Sequence, residues 1–134
     1  MADPTTATRT GVYFRDGYQC ASCCTVDALT FQHRRRVGMG GSKNVPAPVD
    51  GLTLCATCNN GCEHAMQDLA LARGWKVRAW VTSPERVPVF FRKDHAWFRL
   101  EGLNRIRISY AVAMEMGCAV YGDEWMRWQK QVAP

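Results

Sequence analysis

The sequence contains no apolar run that approaches the roughly 18 residues needed to span a membrane as a helix. Its first residues, MADPTTATRTG, are small and polar, and they lack the basic-then-apolar layout of a secretion signal. These absences predict a cytoplasmic protein without a membrane partner. The chain also lacks internal repeats and low-complexity tracts, and its 134 residues suffice for one domain with one modest core.

Acidic residues are fewer than basic ones, 12 against 17, which gives a formal net charge of +5 and a pI near 9.0. A basic protein favours an anionic partner, and nucleic acid is the first candidate. Hydrophobic residues make up 47% of the chain, and five Trp, five Phe and four Tyr argue against wholesale disorder. We therefore expect a globular domain that carries excess positive charge.

The first half of the chain is typical of strand, loop, strand and helix in that order. The run TVDALTFQHRR is rich in β-formers and predicts a strand that ends near His33. The run VGMGGSKNVPAPVDG predicts a loop, and LTLC predicts a short returning strand. Asn59 and Asn60 are good N-cap residues for a helix in CEHAMQDLALARG, and Gly74 stands where a C-cap glycine belongs.

The second half has a different character. Alternation in WKVRAWV predicts a strand, and VPVFFRKDHAWFRLEG predicts a hairpin that turns near Lys93 and Asp94. The run LNRIRISYAVAMEMGCAVYG is ambiguous between strand and helix, and we favour a helix from Tyr110 to Met116. The end of the chain, DEWMRWQKQ, predicts a short amphipathic helix.

Four of the seven cysteines form two pairs with the same spacing, Cys20-x-x-Cys23 and Cys55-x-x-Cys58. Cytoplasmic cysteines are kept reduced, so paired cysteines there indicate a metal more than a disulfide. Each tight turn offers two thiolates, and zinc takes four soft ligands in a tetrahedron. The sequence therefore predicts a structural zinc ion bound by these four residues.

The remaining cysteines leave the ligand assignment partly open. Cys24 and Cys62 each lie close enough to a predicted ligand to replace it. Cys118 lies in an apolar context and is predicted to be a core residue. Buried cysteines without a metal are the alternative interpretation, but it does not account for two pairs of equal spacing.

The stretch between the two pairs has a specific layout: QHRRRVGMGGS, then DGLTLC, then an asparagine directly after the fourth cysteine. This layout resembles the HNH endonucleases, the ββα-metal nuclease superfamily, and most of all the small versions carried by tailed bacteriophages of actinobacteria. The tract ARGWKVRAWVTSPERVPVFF is also similar to the segment after the nuclease motif in that group. The resemblance covers roughly residues 15–101, and the stretch from Asn104 onward has no counterpart.

The resemblance implies catalytic roles at three positions. His33 matches the general base that takes a proton from water. Asp50 stands where the family has an asparagine that orients the loop and the histidine, and Asn44 is a weaker substitute. Asn59 matches the last metal-binding residue at the start of the helix.

The resemblance also implies a catalytic divalent ion, Mg²⁺ or a similar metal, in addition to the structural zinc. Gln32 stands where the family places an Asp or His ligand, and its carbonyl oxygen can bind Mg²⁺ without bringing a charge. Asn59 is the second candidate ligand. His64 and Glu63 are its rivals, because they lie one turn further along the predicted helix.

Basic residues around the predicted site are candidates for phosphate contacts. Each Lys or Arg that neutralises a phosphate makes DNA binding more dependent on salt. The alternative interpretation of an arginine run is a solvated basic edge. The predicted DNA-binding residues are Arg34, Arg35, Arg36, Lys43 and Arg73.

We therefore expect an α+β fold in three parts: a flexible tail over residues 1–11, a zinc-knuckle ββα-metal core over 12–74, and a β-hairpin with a helical region over 75–134 packed on that core. The expected function is hydrolysis of DNA phosphodiester bonds by a metal-dependent HNH endonuclease or nickase. The resemblance to phage proteins suggests genome processing, with DNA and packaging proteins as partners.

Two alternatives compete with the nuclease. Because Gln32 and Asp50 depart from the family pattern, the first is a zinc-stabilised module that binds DNA or a protein partner without catalysis. The second is a zinc-ribbon protein–protein adaptor whose interface includes the C-terminal tryptophans, although Trp125 and Trp128 have the spacing of core residues on a helix.

Overall fold

The computed structural model describes residues 2–35 and 44–133 and has an α+β architecture. The helices are α1 (Thr6–Arg15), α2 (Ala56–Cys62), α3 (Gln67–Ala72), α4 (Tyr110–Tyr121) and α5 (Asp123–Val132). The strands are β1 (Leu29–His33), β2 (Gly51–Cys55), β3 (Val89–Phe91), β4 (Ala96–Glu101) and β5 (Asn104–Ile108). Short 3₁₀ turns lie at Pro48–Asp50 and Pro84–Arg86. In these two described stretches, every helix is too short or too polar to cross a bilayer.

β1 and β2 form an antiparallel hairpin, and α2 follows β2 directly. The register pairs Leu29 with Cys55 and His33 with Gly51. Glycine is needed at position 51 because a Cβ there would collide with the ring of Phe31 on the neighbouring strand. The predicted order of strand, strand and helix is confirmed.

The second antiparallel sheet, in the order β3-β4-β5, separates two hydrophobic cores. Side chains alternate along the central strand, so Phe98 and Leu100 point towards a core that includes buried cysteines. Trp97 points the other way, into a core that it shares with Trp125 of α5 and Tyr121 of α4. The second half of the chain therefore packs on the first through this sheet.

One buried arginine joins four segments of the chain. Arg34 directly follows β1, is 0% exposed, and donates five hydrogen bonds of 3.0–3.2 Å to backbone carbonyls. Two of these bonds go to Gly74, and the others go to Val49, Pro84 and Val87. Burial lowers the pKa of Arg34 to about 10, so the guanidinium is still charged at pH 7. The carbonyl dipoles offset the cost of burying that charge.

The structure corrects the prediction for the start of the chain. Residues 1–11 were expected to form a flexible tail, but α1 begins at Thr6. The hydroxyl of Thr5 accepts a hydrogen bond from the Thr8 N–H and caps the helix. Val12 of α1 is fully buried, and the Tyr13 hydroxyl donates to the Leu29 carbonyl of β1. The threonine-rich run is therefore a capped helix that packs on the hairpin.

Two further predictions about elements are wrong. WKVRAWV is not a strand; its Val77 makes a single parallel bridge with Arg35. The helix expected after Asn59 and Asn60 begins earlier, at Ala56, and a turn over residues 63–66 separates α2 from α3. The alternation of basic and apolar residues in WKVRAWV does not match burial, since Lys76 is buried and Trp80 is exposed.

Other predictions about elements are confirmed. β3 and β4 form the expected hairpin around Lys93 and Asp94, and α5 matches the predicted amphipathic helix. The ambiguous run divides into β5 and α4, and Ser109 caps α4 by accepting a hydrogen bond from the Val112 N–H. Gly74 has φ 73° just after α3, where a Cβ would collide with the Pro88 carbonyl.

Arg34→Ala should lower the free energy of unfolding by at least about 3 kcal/mol, because four buried carbonyls lose their donors. Urea unfolding followed by tryptophan fluorescence measures this change. Arg92→Ala removes the same charge from an exposed site and should change stability by less than about 0.5 kcal/mol. Normal stability of Arg34→Ala combined with weaker DNA binding would contradict the structural role.

Candidate metal centre and neighbouring polar residues

The four cysteines of the two equally spaced pairs converge at one point. The ligand atoms of Cys20, Cys23, Cys55 and Cys58 all lie within 4.8 Å of one another. The sulfur atoms of Cys23 and Cys55, which belong to different pairs, are 3.7 Å apart. That separation is close to the edge of a sulfur tetrahedron, about 3.8 Å for metal–sulfur bonds of about 2.3 Å. The four thiols are therefore close enough together to hold one metal ion.

Local turns hold both pairs in place. The Cys20 N–H donates to the Thr25 carbonyl and the Cys24 N–H donates to the Cys20 carbonyl, both at 2.9 Å. Cys24 has φ 70°, a left-handed conformation that closes this first turn. In the second pair, Cys55 is the N-cap of α2, and its sulfur accepts a hydrogen bond from the Cys58 N–H at 3.4 Å. The Ala21 N–H also donates to the Thr53 carbonyl of β2, so backbone bonds join the first turn to the strand that leads into the second pair.

The protonation of these thiols is uneven. Burial raises the pKa of Cys20 and of Cys58. Burial also raises the pKa of Cys55, but hydrogen bonds from Cys58 and other cysteines outweigh it and leave that pKa lowered. Metal ligation requires thiolates, so binding of a cation would release protons, and the raised pKa of Cys20 and of Cys58 makes binding weaker as the pH falls.

The alternative ligands lie outside the cluster. Cys62 is 0% exposed in the first core, and burial raises its pKa to about 12, so it remains a thiol. Cys24 shapes the first turn, but its sulfur is not among the converging atoms. Cys118 is partly buried against the second core, as predicted. The cluster therefore has the four members predicted from spacing.

The two faces of the β1–β2 hairpin carry different candidate residues. Thr30 and Gln32 share one face because strand side chains alternate, and the Asn59 amide donates to the Thr30 hydroxyl at 2.9 Å. Phe31 and His33 share the opposite face, with ring centroids 5.2 Å apart. Gln32 and Asn59 therefore lie on the α2 side of the hairpin, and His33 points to the other side.

Polar groups on the α2 side are already engaged. Gln32 is 1% exposed, and its amide nitrogen donates to the Trp75 carbonyl at 3.4 Å. Glu63, at the C-terminal end of α2, forms an ion pair of 3.0 Å with Lys76, which is itself buried. His64 is exposed in the turn that follows. Sequence reasoning missed Lys76, because an alternating basic and apolar run suggests an exposed strand face.

His33 is partly buried at the end of β1. Burial lowers the pKa of His33, and the carboxylates of Asp3 and Asp50 act in the opposite direction. Asp50 also accepts a hydrogen bond from the Ala47 N–H at 2.8 Å, which fixes the turn leading into β2. The imidazole is therefore neutral near pH 7, and Asp50 lies on the segment that faces it.

The placement of Arg34 corrects its predicted role. Its guanidinium is fully buried and bonded to carbonyls, so it cannot contact DNA phosphates in this fold. Arg36 and Lys43, the neighbouring candidates, lie outside the described residues. At least one arginine of this run therefore has a structural role. The positive charge of the run did not indicate that this residue is buried.

Arg35 and Arg73 are partly buried and have partners of their own. Arg35 donates to the Val81 carbonyl at 3.0 Å. The Arg73 guanidinium lies 5.3 Å from the centre of the Phe90 ring and donates to the Gln129 side chain at 3.2 Å. The prediction that both residues contact phosphates is not tested here. Each would have to use guanidinium N–H groups that do not take part in these hydrogen bonds.

Cys58→Ser should remove the bound metal and destabilise the fold, because three thiols hold the ion less well than four. Cys62→Ser is the matched control, since it changes a nearby buried thiol outside the cluster and should retain one equivalent of metal. Elemental analysis of protein purified without chelator measures both. Metal loss in Cys62→Ser but not in Cys58→Ser would refute this ligand set.

Comparison with known proteins assigns no family to this site. The chain matches no protein-family model, no curated protein and no solved structure.

Proposed function

We propose that the chain is a zinc-stabilised ββα module of the HNH type that hydrolyses phosphodiester bonds in DNA. The main support for this proposal is the arrangement of β1, β2 and α2. The four thiols lie at one end of the β1–β2 hairpin, and His33 lies at the other end. The activity is the one that the sequence resemblance to HNH endonucleases implies. The hairpin geometry supports it, because it gives the histidine a fixed position at the end of a strand.

Zinc is the proposed occupant of the four-thiol cluster. Four thiolates from two tight turns match the soft, tetrahedral coordination that zinc favours. Such an ion has a structural role, because no ligand position remains for water or substrate. Its contribution would be to tie the loop before β1 to the start of α2.

His33 is the proposed general base. A neutral imidazole can take a proton from a water molecule as that water attacks phosphorus, and this step is worth roughly 10²- to 10⁴-fold in rate. Partial burial keeps the imidazole neutral while leaving part of its surface open to solvent. Asp50 is the proposed positioning residue, because it fixes the turn that faces the imidazole.

The α2 side of the hairpin offers oxygen ligands of the type that a catalytic divalent cation would use. Gln32 and Asn59 both use their amide nitrogens in hydrogen bonds, so each has a carbonyl oxygen of the hard kind that Mg²⁺ prefers. A cation bound there would supply positive charge that attracts DNA phosphates, but it would lie on the face of the hairpin opposite His33. These oxygens bring no charge, and Glu63 is paired with Lys76, so we expect weak cation binding.

A binding module without catalysis is the second candidate. The engaged amide of Gln32 and the Glu63–Lys76 ion pair favour it, because both side chains proposed for cation binding on this face already have partners. Such a module would still bind DNA in a salt-dependent manner through its excess of basic residues. One measurement distinguishes the two candidate functions: the nuclease cleaves DNA and the binding module does not.

His33→Ala should reduce nicking of supercoiled plasmid by about 10²- to 10⁴-fold, because it removes the proposed base. Zinc content, melting temperature and DNA affinity should stay close to wild type. The assay is run with Mg²⁺, Mn²⁺ and Ni²⁺ in turn. If wild-type protein cleaves no duplex, branched or single-stranded DNA under any of these ions but binds DNA, the binding module replaces the nuclease.

Lys76→Met should lower the Mg²⁺ concentration that gives half-maximal nicking, because it frees the Glu63 carboxylate from a competing ammonium group. Methionine keeps the length and apolar character of the buried lysine stem. Glu63→Gln, the paired variant, should raise that concentration or leave it unchanged. An identical metal requirement in wild type and both variants would show that Glu63 takes no part in cation binding.

A further inference from the structure

The last strand of the second sheet, β5, has one edge without a backbone partner. β5 pairs with β4, and in the described parts of the chain no further strand lies beside it. The register pairs Glu101 with Asn104 across a two-residue turn, so these residues exchange two backbone hydrogen bonds. Hydrogen-bonded and non-hydrogen-bonded pairs then alternate along the strands. The backbone of Ile106 therefore bonds to β4, whereas the N–H and C=O groups of Arg105 and Arg107 point away from the sheet.

The opposite edge of the same sheet is closed. On β3, the Phe90 N–H donates to the Arg73 carbonyl at 2.9 Å. Just after β3, the Arg92 N–H donates to the Ala21 carbonyl at 3.0 Å. Among the residues described, no comparable backbone bond reaches β5 from outside the sheet. Because unpaired backbone groups on an edge are a template for another strand, β5 is the edge of this sheet that can accept one.

The side chains of β5 alternate between the two faces of the sheet. Arg105 and Arg107 lie on the face of Phe98, which belongs to the core with the buried cysteines. The Arg105 guanidinium lies 4.3 Å from the centre of the Phe98 ring on that face. Ile106 lies on the other face and is 38% exposed. A strand added at this edge would therefore meet arginine on one face and isoleucine on the other.

The two arginines differ in their charge partners. Arg105 forms an ion pair of 2.8 Å with Asp94. Arg107 is exposed, and no described carboxylate lies within ion-pair distance of it. An acidic side chain directly opposite Arg107 on an added strand would provide that partner. The edge therefore favours a strand with a carboxylate on the arginine face and an apolar side chain on the isoleucine face.

A second copy of the chain is a poor occupant of this edge. Two β5 strands would pair through the residues whose backbone groups point outward, Arg105 and Arg107 of each copy. The antiparallel registers that overlap the two strands most then place an arginine opposite an arginine. Like charges directly opposite each other destabilise a strand pair. The arginines therefore protect the edge against self-pairing and leave it open to an acidic partner.

We propose that β5 is a docking edge for a partner protein, which adds an extended segment of alternating acidic and apolar residues as an antiparallel fourth strand of the second sheet. Backbone hydrogen bonds to Arg105 and Arg107 hold the segment. A carboxylate opposite Arg107 and an apolar side chain beside Ile106 select it. β5 contains neither His33 nor a cysteine of the cluster, so this inference does not depend on the proposed DNA function.

The backbone part of the proposal is tested with two short fluorescein-labelled peptides of alternating glutamate and valine. With glutamate opposite Arg107 in an antiparallel pair, the glutamate N–H faces β5 and the valine N–H faces solvent. Methylation of the glutamate backbone nitrogens should therefore abolish binding to the full-length protein, measured by fluorescence anisotropy. Methylation of the valine nitrogens should leave binding intact, and it also prevents the peptide from pairing with itself.

The contribution of Arg107 is tested with the valine-methylated peptide. Arg107→Gln keeps the backbone N–H and should weaken binding by about 1.5- to 5-fold, the range for one exposed ion pair. Arg107→Pro also removes the outward N–H without removing a bond to β4, and should weaken binding by about a further 2- to 13-fold. Arg92→Gln changes an exposed arginine outside β5 and should bind like wild type. Melting temperatures check folding; if Arg107→Pro does not fold, the two methylated peptides still decide the backbone part.

Other results would overturn the proposal. Absence of saturable binding by the valine-methylated peptide would remove the docking edge. Equal binding of the two methylated peptides would exclude strand pairing, and displacement by duplex DNA would then identify Arg107 as an anion contact. Self-association of the protein that Arg107→Pro abolishes would assign the edge to a second copy. Absent DNA cleavage with the expected peptide binding would count against the nuclease alone.

Discussion

The fold depends on a charged arginine that is buried at the end of the first strand. Arg34 bonds to carbonyls from the turn before β2, the end of α3 and the segment that leads into β3. Its own N–H donates to the Asp50 carbonyl, and its own carbonyl accepts from the Val77 N–H. Few residues could replace it, because only a guanidinium offers five donors in a rigid fork. The direction of β1, and with it the placement of Gln32 and His33, follows from this anchor.

The β1–β2 hairpin is fixed at both ends by different chemistry. At the Leu29–Cys55 end, the thiol cluster joins the loop before β1 to the start of α2. At the His33–Gly51 end, Arg34 joins the hairpin to the C-terminal half of the chain. A catalytic histidine between two such anchors would lose little conformational freedom on binding substrate. This arrangement gives a physical reason for placing chemistry at the end of β1.

The sequence predicted the thiol cluster well, because ligand spacing is local and equal pairs rarely arise by chance. It failed on Arg34, since a run of three arginines looks solvated and only the three-dimensional neighbours reveal the carbonyls that surround it. It also failed on α1, whose stability comes from the Thr5 cap and from packing on the hairpin, neither of which residue composition reports. WKVRAWV has a strand-like pattern, yet its backbone meets only one partner residue in a bridge. Local chemistry was therefore predictable, whereas burial of charge and long-range packing were not.

The second sheet has a consequence for how the protein opens. β4 forms a wall common to both cores, with Phe98 and Leu100 on the cysteine side and Trp97 on the side of α5. Removal of a metal bound by the cysteines would loosen the core on one face of β4. The C-terminal helices pack on the other face of the same strand. Removing the metal should then speed hydrogen exchange at the backbone amides of β4 and α5. The increase should parallel the increase at amides near the cysteines, although β4 and α5 contain no ligand sulfur. A metal bound by the four cysteines would thus also stabilise helices that it does not touch, because both cores share β4.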